Sequence, residues 1–104
     1  MTPVIVLTTV GAAFDVAALA RELVEQRLAA CVNVIPQVQS VYRWQGRIES
    51  DTEQLLMIKT VDERVDALQS ALLSRHPYEV PELVVMRMDD VRGPWREWLI
   101  DSVR

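Results

Sequence analysis

Apolar and polar positions along the first third of the chain predict a strand followed by an amphipathic helix. A β-rich run from Val4 to Thr9 ends at Gly11 and is typical of a buried strand. Asp15 is a favoured helix N-cap residue. The apolar residues after it recur at helical spacing: Val16, Leu19, Ala20, Leu23, Val24 and Leu28.

The segment from residue 31 to about residue 60 predicts a long β-hairpin. Its first arm begins with Cys31 and is interrupted at Pro36, which predicts a bend or an edge position because proline cannot donate to a strand ladder. Gln45-Gly46 is a turn signal, and Glu53 to Thr60 reads as the return strand. Beyond Pro36 the first arm alternates, with one face formed by Val38, Ser40, Tyr42 and Trp44.

The last third of the chain predicts a helix, a strand and a short final helix. Thr60-Val61-Asp62-Glu63 matches a capping box and precedes an apolar stripe that must end near Arg75, before Pro77. Leu83 to Met88 predicts the last strand. Gly93-Pro94 opens the final helix. The stripe of the second helix contains Val65, Leu68, Leu72 and Leu73, and one face of the final helix contains Trp95, Trp98 and Leu99.

The resulting β-α-β-β-α-β order, with a terminal helix, predicts the ferredoxin-like α+β fold. In this fold two helices cover one face of a four-stranded antiparallel sheet. The length of 104 residues is typical of one domain, so we expect a single domain over residues 1–104.

The hairpin is too long for the helices that should cover it. An arm of roughly 14 residues spans ~46 Å, whereas a helix of roughly 14 residues spans only ~21 Å. The outer part of the hairpin nevertheless carries Val41, Tyr42 and Trp44. Because long edges and apolar patches are normally covered, we expect this overhang to pack on another copy of the chain. The alternative is a hairpin that bends at Pro36 and folds back on its own sheet.

Composition and charge limit the partners and the cellular location that we expect for the protein. The net charge of −4 argues against a nucleic-acid partner, because such proteins usually present a basic face. The first residues contain no basic leader, and no run approaches the ~20 apolar residues that span a bilayer. We therefore expect a cytoplasmic protein with no membrane partner. One cysteine, Cys31, fits a reducing compartment.

Four motifs, in order, resemble the CutA divalent-cation tolerance proteins, and the likeness runs from about Val4 to Val103. The resemblance implies a ferredoxin-like homotrimer whose hairpins cross between subunits. It also implies tolerance of copper and other divalent metals, and copper binding in some members. The motifs are Leu28-Ala29-Ala30-Cys31-Val32-Asn33, Ser40-Val41-Tyr42-Arg43-Trp44-Gln45-Gly46, Lys59-Thr60 and His76-Pro77-Tyr78-Glu79-Val80-Pro81-Glu82.

Cys31, His76 and Glu79 are the candidate metal ligands. Thiolate suits Cu(I), and imidazole suits Cu(II) or Zn²⁺. Two other interpretations stay open: Cys31 as a small buried hydrophobe, and His76 as a residue that interacts with the last helical carbonyls. The sequence has no CxxC, HxxxH or EF-hand spacing. A site for copper or another divalent cation must therefore be open, shared between chains or weak. We expect no cofactor to be required for folding.

A second interpretation is a trimeric small-molecule sensor similar to the nitrogen-regulatory PII proteins, with a ligand in clefts between subunits. Such a cleft would contain Lys59, Tyr78, Glu79 and Glu82, although Lys59 could simply form an ion pair with either glutamate. A third is a structural trimer that organises a protein partner. No GxSxG, P-loop or GxGxxG motif is present, so we expect no enzymatic activity. We assign Tyr42 and Trp44 to the trimer interface, with stacking on a ligand as the alternative.

Overall fold

The computed structural model describes all 104 residues and has four strands and three α-helices in the predicted order. One turn of 3₁₀-helix precedes α2 at Asp62–Arg64. No helix is long and apolar enough to span a membrane. The elements are β1 (Pro3–Gly11), α1 (Val16–Glu25), β2 (Cys31–Trp44), β3 (Arg47–Val61), α2 (Val65–Leu73), β4 (Val84–Arg87) and α3 (Gly93–Ser102).

The strands form one antiparallel sheet in the order β2-β3-β1-β4, which confirms the ferredoxin-like fold class. The long hairpin pairs Cys31 with Lys59 at one end and Trp44 with Arg47 at the other. Its register shifts between Ile35 and Val38, around Pro36. β2 is also an edge strand. The edge position predicted from Pro36 is therefore confirmed, and the strand ladder is irregular beside this residue.

The core lies between one face of the sheet and α1 and α2. The even-numbered residues of β1 from Val4 and of β3 from Gln54 point into it, because successive side chains of a strand alternate between faces. A second, smaller cluster packs under α3. The first cluster includes Val6, Val10, Leu19, Leu23, Leu56, Ile58, Leu68 and Leu72, and the second contains Ala30, Val61, Leu99, Ile100 and Val103.

The opposite face of the sheet is left uncovered by α1 and α2, and α3 contacts it near Lys59 and Val61. We call it the open face, and define it by the odd-numbered residues of β1 and β3 with their partners on β2 and β4. Apart from Pro3, Glu53 and Val61, which are buried, these residues are only partly buried or are exposed; Ile35 and Met86, for example, are 41% and 42% exposed. The open-face residues include Ile5, Leu7, Ile35, Leu55, Met57, Val84 and Met86.

The outer part of the β2–β3 hairpin extends beyond the helices. The molecule measures 45 × 26 × 22 Å, whereas the 10 residues of α1 span only about 15 Å. Large apolar side chains on this overhang are open to solvent, with Val41 68% and Ile48 63% exposed. Within a single chain the hairpin does not fold back over its own sheet to cover them.

The first helix ends earlier than its apolar spacing predicts. Arg27 adopts a left-handed backbone with φ of 59°, so the chain leaves the helical path after Glu25. Leu28 is still buried in the core, but it enters from the loop. Val24, which the spacing places on the apolar face, is 42% exposed.

The predicted capping box at Thr60 is wrong. Thr60 is still part of β3 and points into the buried side of the sheet, where its hydroxyl has no hydrogen-bond partner. The 3₁₀ turn begins after Val61, without a side-chain cap. Asp62 instead accepts hydrogen bonds from the backbone amides of Thr2 and Glu63.

The predicted apolar face of the last helix is only partly correct. Leu99 is fully buried, but Trp95 and Trp98 are 37% and 47% exposed and contact each other with ring centroids 5.8 Å apart. The helix instead packs through Leu99, Ile100 and the following Val103. The two indoles therefore lie at the margin of this contact.

Candidate functional site

The connector from His76 to Glu82 is anchored to β1 by the His76 ring. The His76 amide closes the end of α2 by donating to the Leu72 carbonyl, 2.8 Å away. Its Nε2 lies 3.0 Å from the Thr9 carbonyl and 3.1 Å from Thr8 Oγ1, and its Nδ1 accepts from the Tyr78 amide at 3.2 Å. Because Nδ1 accepts, the proton of a neutral ring must sit on Nε2.

Burial lowers the pKa of His76 below its ordinary value of 6.5. The Thr9 carbonyl and the Glu53 carboxylate oppose this shift by favouring the charged ring. Desolvation is the larger effect, as expected where a partly buried imidazole would have to carry a charge. His76 is therefore a neutral, hydrogen-bonded ring at pH 7.

Tyr78 joins the same connector to the hairpin. Its hydroxyl donates to Glu53 Oε2 at 2.6 Å, and its ring packs edge-on against His76 with centroids 5.1 Å apart. Burial and the neighbouring carboxylate raise the pKa of Tyr78. The phenol therefore stays protonated and holds the buried Glu53 carboxylate, which is only 7% exposed.

A second tyrosine–carboxylate pair lies further out on the hairpin. The Tyr42 hydroxyl donates to the Asp51 carboxylate. This hydrogen bond raises the pKa of Tyr42 to about 12. Asp51 and Glu53 lie two residues apart on β3, so both carboxylates point to the same side of the strand.

The connector and the hairpin together enclose a groove of about 730 Å³, which we call the acidic groove. It contains four carboxylates and no basic side chain, and none of the four forms an ion pair within the chain. Its lining residues are Thr9, Ser40, Val41, Tyr42, Trp44, Asp51, Glu53, Pro77, Tyr78, Glu79, Val80 and Glu82.

Of the residues predicted to form a cleft, three line this groove and one does not. Tyr78, Glu79 and Glu82 are present, but Lys59 lies six residues from Glu53 along β3, or about 20 Å. Its ammonium is 5.8 Å from the centroid of the Trp95 ring. Lys59 makes no ion pair within the chain, so the alternative pairing with Glu79 or Glu82 does not form there.

The three candidate metal ligands do not converge within one chain. Cys31 pairs in register with Lys59, and its thiol lies 3.6 Å from Asn33 Oδ1. His76 lies beside Thr8 and Thr9, and Glu79 lines the acidic groove. No group of three His, Cys, Asp or Glu side chains in the chain is arranged to hold a metal ion.

Sequence reasoning missed Asp51 and Glu53 as site residues. The period of two in a strand was the available signal, because Asp51 and Glu53 had to share a face with each other. The register of the hairpin then pairs Ser40 with Asp51. The contact between Glu53 and Tyr78 spans 25 residues and depends on how the connector folds back, which no local pattern specifies.

The fold and the groove define a small ferredoxin-like protein with an extended second hairpin and a polar groove beside its last crossover. A family model described as "CutA1 divalent ion tolerance protein" matches residues 4–102. The chain belongs to the CutA1 divalent ion tolerance protein family.

Individual relatives agree with this assignment. The chain is 40% identical over 98 residues to the divalent-cation tolerance protein CutA of Thermus thermophilus, covering 94% of this chain and 95% of that protein. It is 51% identical over 85 residues to the protein CutA homolog of Xenopus laevis, covering 82% of this chain but 56% of the relative. It spans about half the length of several other curated relatives, among them human protein CutA at 45%.

Solved structures show the same fold. The crystal structure of CutA1 from Oryza sativa superposes with a TM-score of 0.94 at 36% identity, covering 100% of this chain and 95% of that one. The divalent cation tolerance protein of Thermus thermophilus gives a TM-score of 0.92 at 37% identity, covering 98% and 99%.

Proposed function

We propose that this chain acts in divalent-cation tolerance as a cytoplasmic homotrimer that binds copper. The observation that carries the proposal is the apolar surface that one chain leaves uncovered on the open face and on the hairpin overhang. Membership of this chain in the CutA1 family supports a role in divalent-cation tolerance. The family and the Thermus thermophilus relative are named for tolerance of divalent ions and not for a reaction.

Assembly is favoured by the amount and the arrangement of this surface. Ile35, Val84 and Met86 are each more than 40% exposed on the open face, and Val41 and Ile48 are still more exposed on the overhang. Contiguous apolar patches of this kind usually mark interaction sites. Three copies that share these surfaces would also cover the long edge of β2.

Copper binding in this proposal requires ligands from more than one copy. Cys31 supplies a thiol that is partly accessible and free of a disulfide. His76 would have to give up a hydrogen bond to Thr9 or Tyr78, because both of its nitrogens are engaged. Glu79 is exposed and free of ion pairs. Assembly is therefore the step that would bring the three donor types together.

The test is a titration of the purified oligomer with Cu(I) and with Cu(II), in competition with a chromogenic chelator. We expect Cys31→Ser to lose most Cu(I) affinity, and His76→Gln and Glu79→Gln to weaken binding further. Glu97→Gln, a remote charge change on α3, serves as the control. Equal stoichiometry and affinity in wild type and all three site variants would remove this copper site.

A second candidate function is favoured by the acidic groove itself. Its volume lies within the range of about 300–1,000 Å³ that is typical of small-molecule sites. We propose a sensor role, similar to that of PII proteins, as the alternative to metal binding. A thermal-shift screen of nucleotides, organic anions and organic cations would separate the two, because a metal-binding protein should respond only to metals.

A further inference from the structure

Glu53 is a buried carboxylate without a counter-charge. It is only 7% exposed, and it lines the acidic groove. Its Oε2 accepts the Tyr78 hydroxyl, whereas its Oε1 has no hydrogen bond and no basic side chain of the chain pairs with it. A buried carboxylate normally has a positive partner, because removing its charge from water is costly.

The other carboxylates of the acidic groove also lack a positively charged partner. Asp51, Glu79 and Glu82 also lack ion pairs, and no lysine, arginine or histidine is among the lining residues. Aromatic rings stand beside the carboxylates, since Tyr42, Trp44 and Tyr78 all line the groove. Aromatic faces attract cations through the ring quadrupole. The lining thus favours a positively charged occupant with apolar parts.

A bare metal ion does not suit this arrangement. The four carboxylates are spread over a groove of about 730 Å³, and no three of them are close enough to coordinate one ion. A cation that carries its charge on a carbon stem fits better, because the stem can pack on the aromatic rings while the charge reaches Glu53. Guanidinium and ammonium groups also donate directional hydrogen bonds to carboxylates.

We propose that the acidic groove is a binding site for an organic cation, namely a guanidinium or ammonium group on a short carbon chain, with Glu53 as its main anchor. Two sources carry this chemistry. One is a free amine or guanidine compound. The other is an arginine of a second copy of the chain, since Arg43 and Arg47 at the hairpin tip are exposed and form no ion pair. Only the second source rests on the proposed homotrimer.

Agmatine, which carries a guanidinium and an ammonium on a butyl chain, is the probe. If the occupant is a free compound, calorimetric titration of the intact protein should show binding of agmatine and none of butylurea, its uncharged analogue. Glu53→Gln keeps the shape and the acceptor for Tyr78 but removes the charge, so we expect agmatine affinity to fall about tenfold to a hundredfold. Glu82→Gln at the exposed rim should give a smaller loss, and the matched remote change Glu97→Gln none.

The double variant Arg43→Gln, Arg47→Gln identifies the source. If wild type binds agmatine and this variant binds it equally well, the occupant is a free compound. If wild type does not bind it and the variant does, with loss again on adding Glu53→Gln, an arginine of another copy fills the groove. Absence of Glu53-dependent binding in both backgrounds would overturn the proposal. Copper titration and sedimentation of the same samples report on the proposed function separately.

Discussion

Two tyrosine–carboxylate pairs that line the acidic groove differ mainly in burial. Tyr78 holds the buried Glu53, whereas Tyr42 holds Asp51 on the exposed overhang. Removing the Tyr78 hydroxyl leaves a buried carboxylate with no hydrogen bond. We therefore expect Tyr78→Phe to lower the free energy of unfolding by about 1–3 kcal/mol.

Tyr42→Phe is the matched control for that prediction. Water can replace the lost hydroxyl at Asp51, so the loss of stability should be clearly smaller. Denaturant unfolding at one fixed protein concentration compares the two variants. Equal destabilisation by both changes would contradict the role given to burial. Spectrophotometric titration of the tyrosines should also show Tyr42 ionising near pH 12, and this signal should disappear in Tyr42→Phe.

His76 makes stability depend on pH in a defined window. Its pKa is lowered in the folded chain by burial, so between the folded value and 6.5 the unfolded chain binds more protons. Stability therefore falls as the pH drops through 6.5 and continues to fall until the folded ring also protonates. His76→Gln should remove this part of the pH dependence.

The measurement is denaturant unfolding of wild type and His76→Gln between pH 7.5 and 5. A nuclear magnetic resonance titration of the single imidazole gives its folded pKa directly. Asp62 provides an internal contrast. Hydrogen bonds from Glu63 and Thr2 lower its pKa from 3.8 to about 2, so its contribution to stability is lost as the pH falls from 3.8 through about 2. A His76 pKa at or above 6.5 would refute the prediction.

At the scale of the elements, the sequence predicts most strongly where one physical rule dominates. The bulge beside Pro36 follows from a missing amide hydrogen, and the turn at Gln45-Gly46 follows from backbone preference. Both turn residues have positive φ, 49° and 80°, as a two-residue hairpin turn requires. The order of strands and helices could be predicted from the spacing of apolar residues alone, which changes from two residues in strands to about 3.6 in helices.

Element ends are predicted less well where tertiary packing overrides local signals. Thr60 matches a helix-capping pattern, yet the pairing of β3 with β1 keeps it in the strand, opposite Val4. Leu28 fits the helical spacing, but the helix has already ended and the residue enters the core from a loop. In both cases burial of the side chain outweighs the local preference of the backbone.

The site depends on contacts that are still more distant in sequence. Sequence motifs identified Tyr78, Glu79 and Glu82 as one wall of a cleft, and the structure places all three along the acidic groove. Within one chain the opposite wall comes from the hairpin, about 20 Å from Lys59 along β3, and the role of Lys59 in a cleft between subunits stays a prediction. That distinction required the register of β2 with β3 and the path of the connector, which are properties of the folded chain.

At the scale of the whole molecule, the uncovered open face should hold copies of the chain together. Ile35 and Leu73 are both exposed in a single chain, at 41% and 54%, but Ile35 lies on the open face and Leu73 on α2 in the helical layer. A lysine at either position should be tolerated by the isolated fold. Only a lysine on the open face would place an unpaired charge in an interface between copies.

We expect wild type to sediment at three times the chain mass of 11.9 kDa, and Leu73→Lys to do the same. Ile35→Lys should shift the population toward single chains while its circular dichroism stays that of a folded α+β protein. Because both variants exchange an exposed apolar side chain for the same charged one, a difference between them reports on assembly and not on the fold. A monomeric wild type at micromolar concentration, or equal masses for both variants, would argue against the open face as the assembly surface.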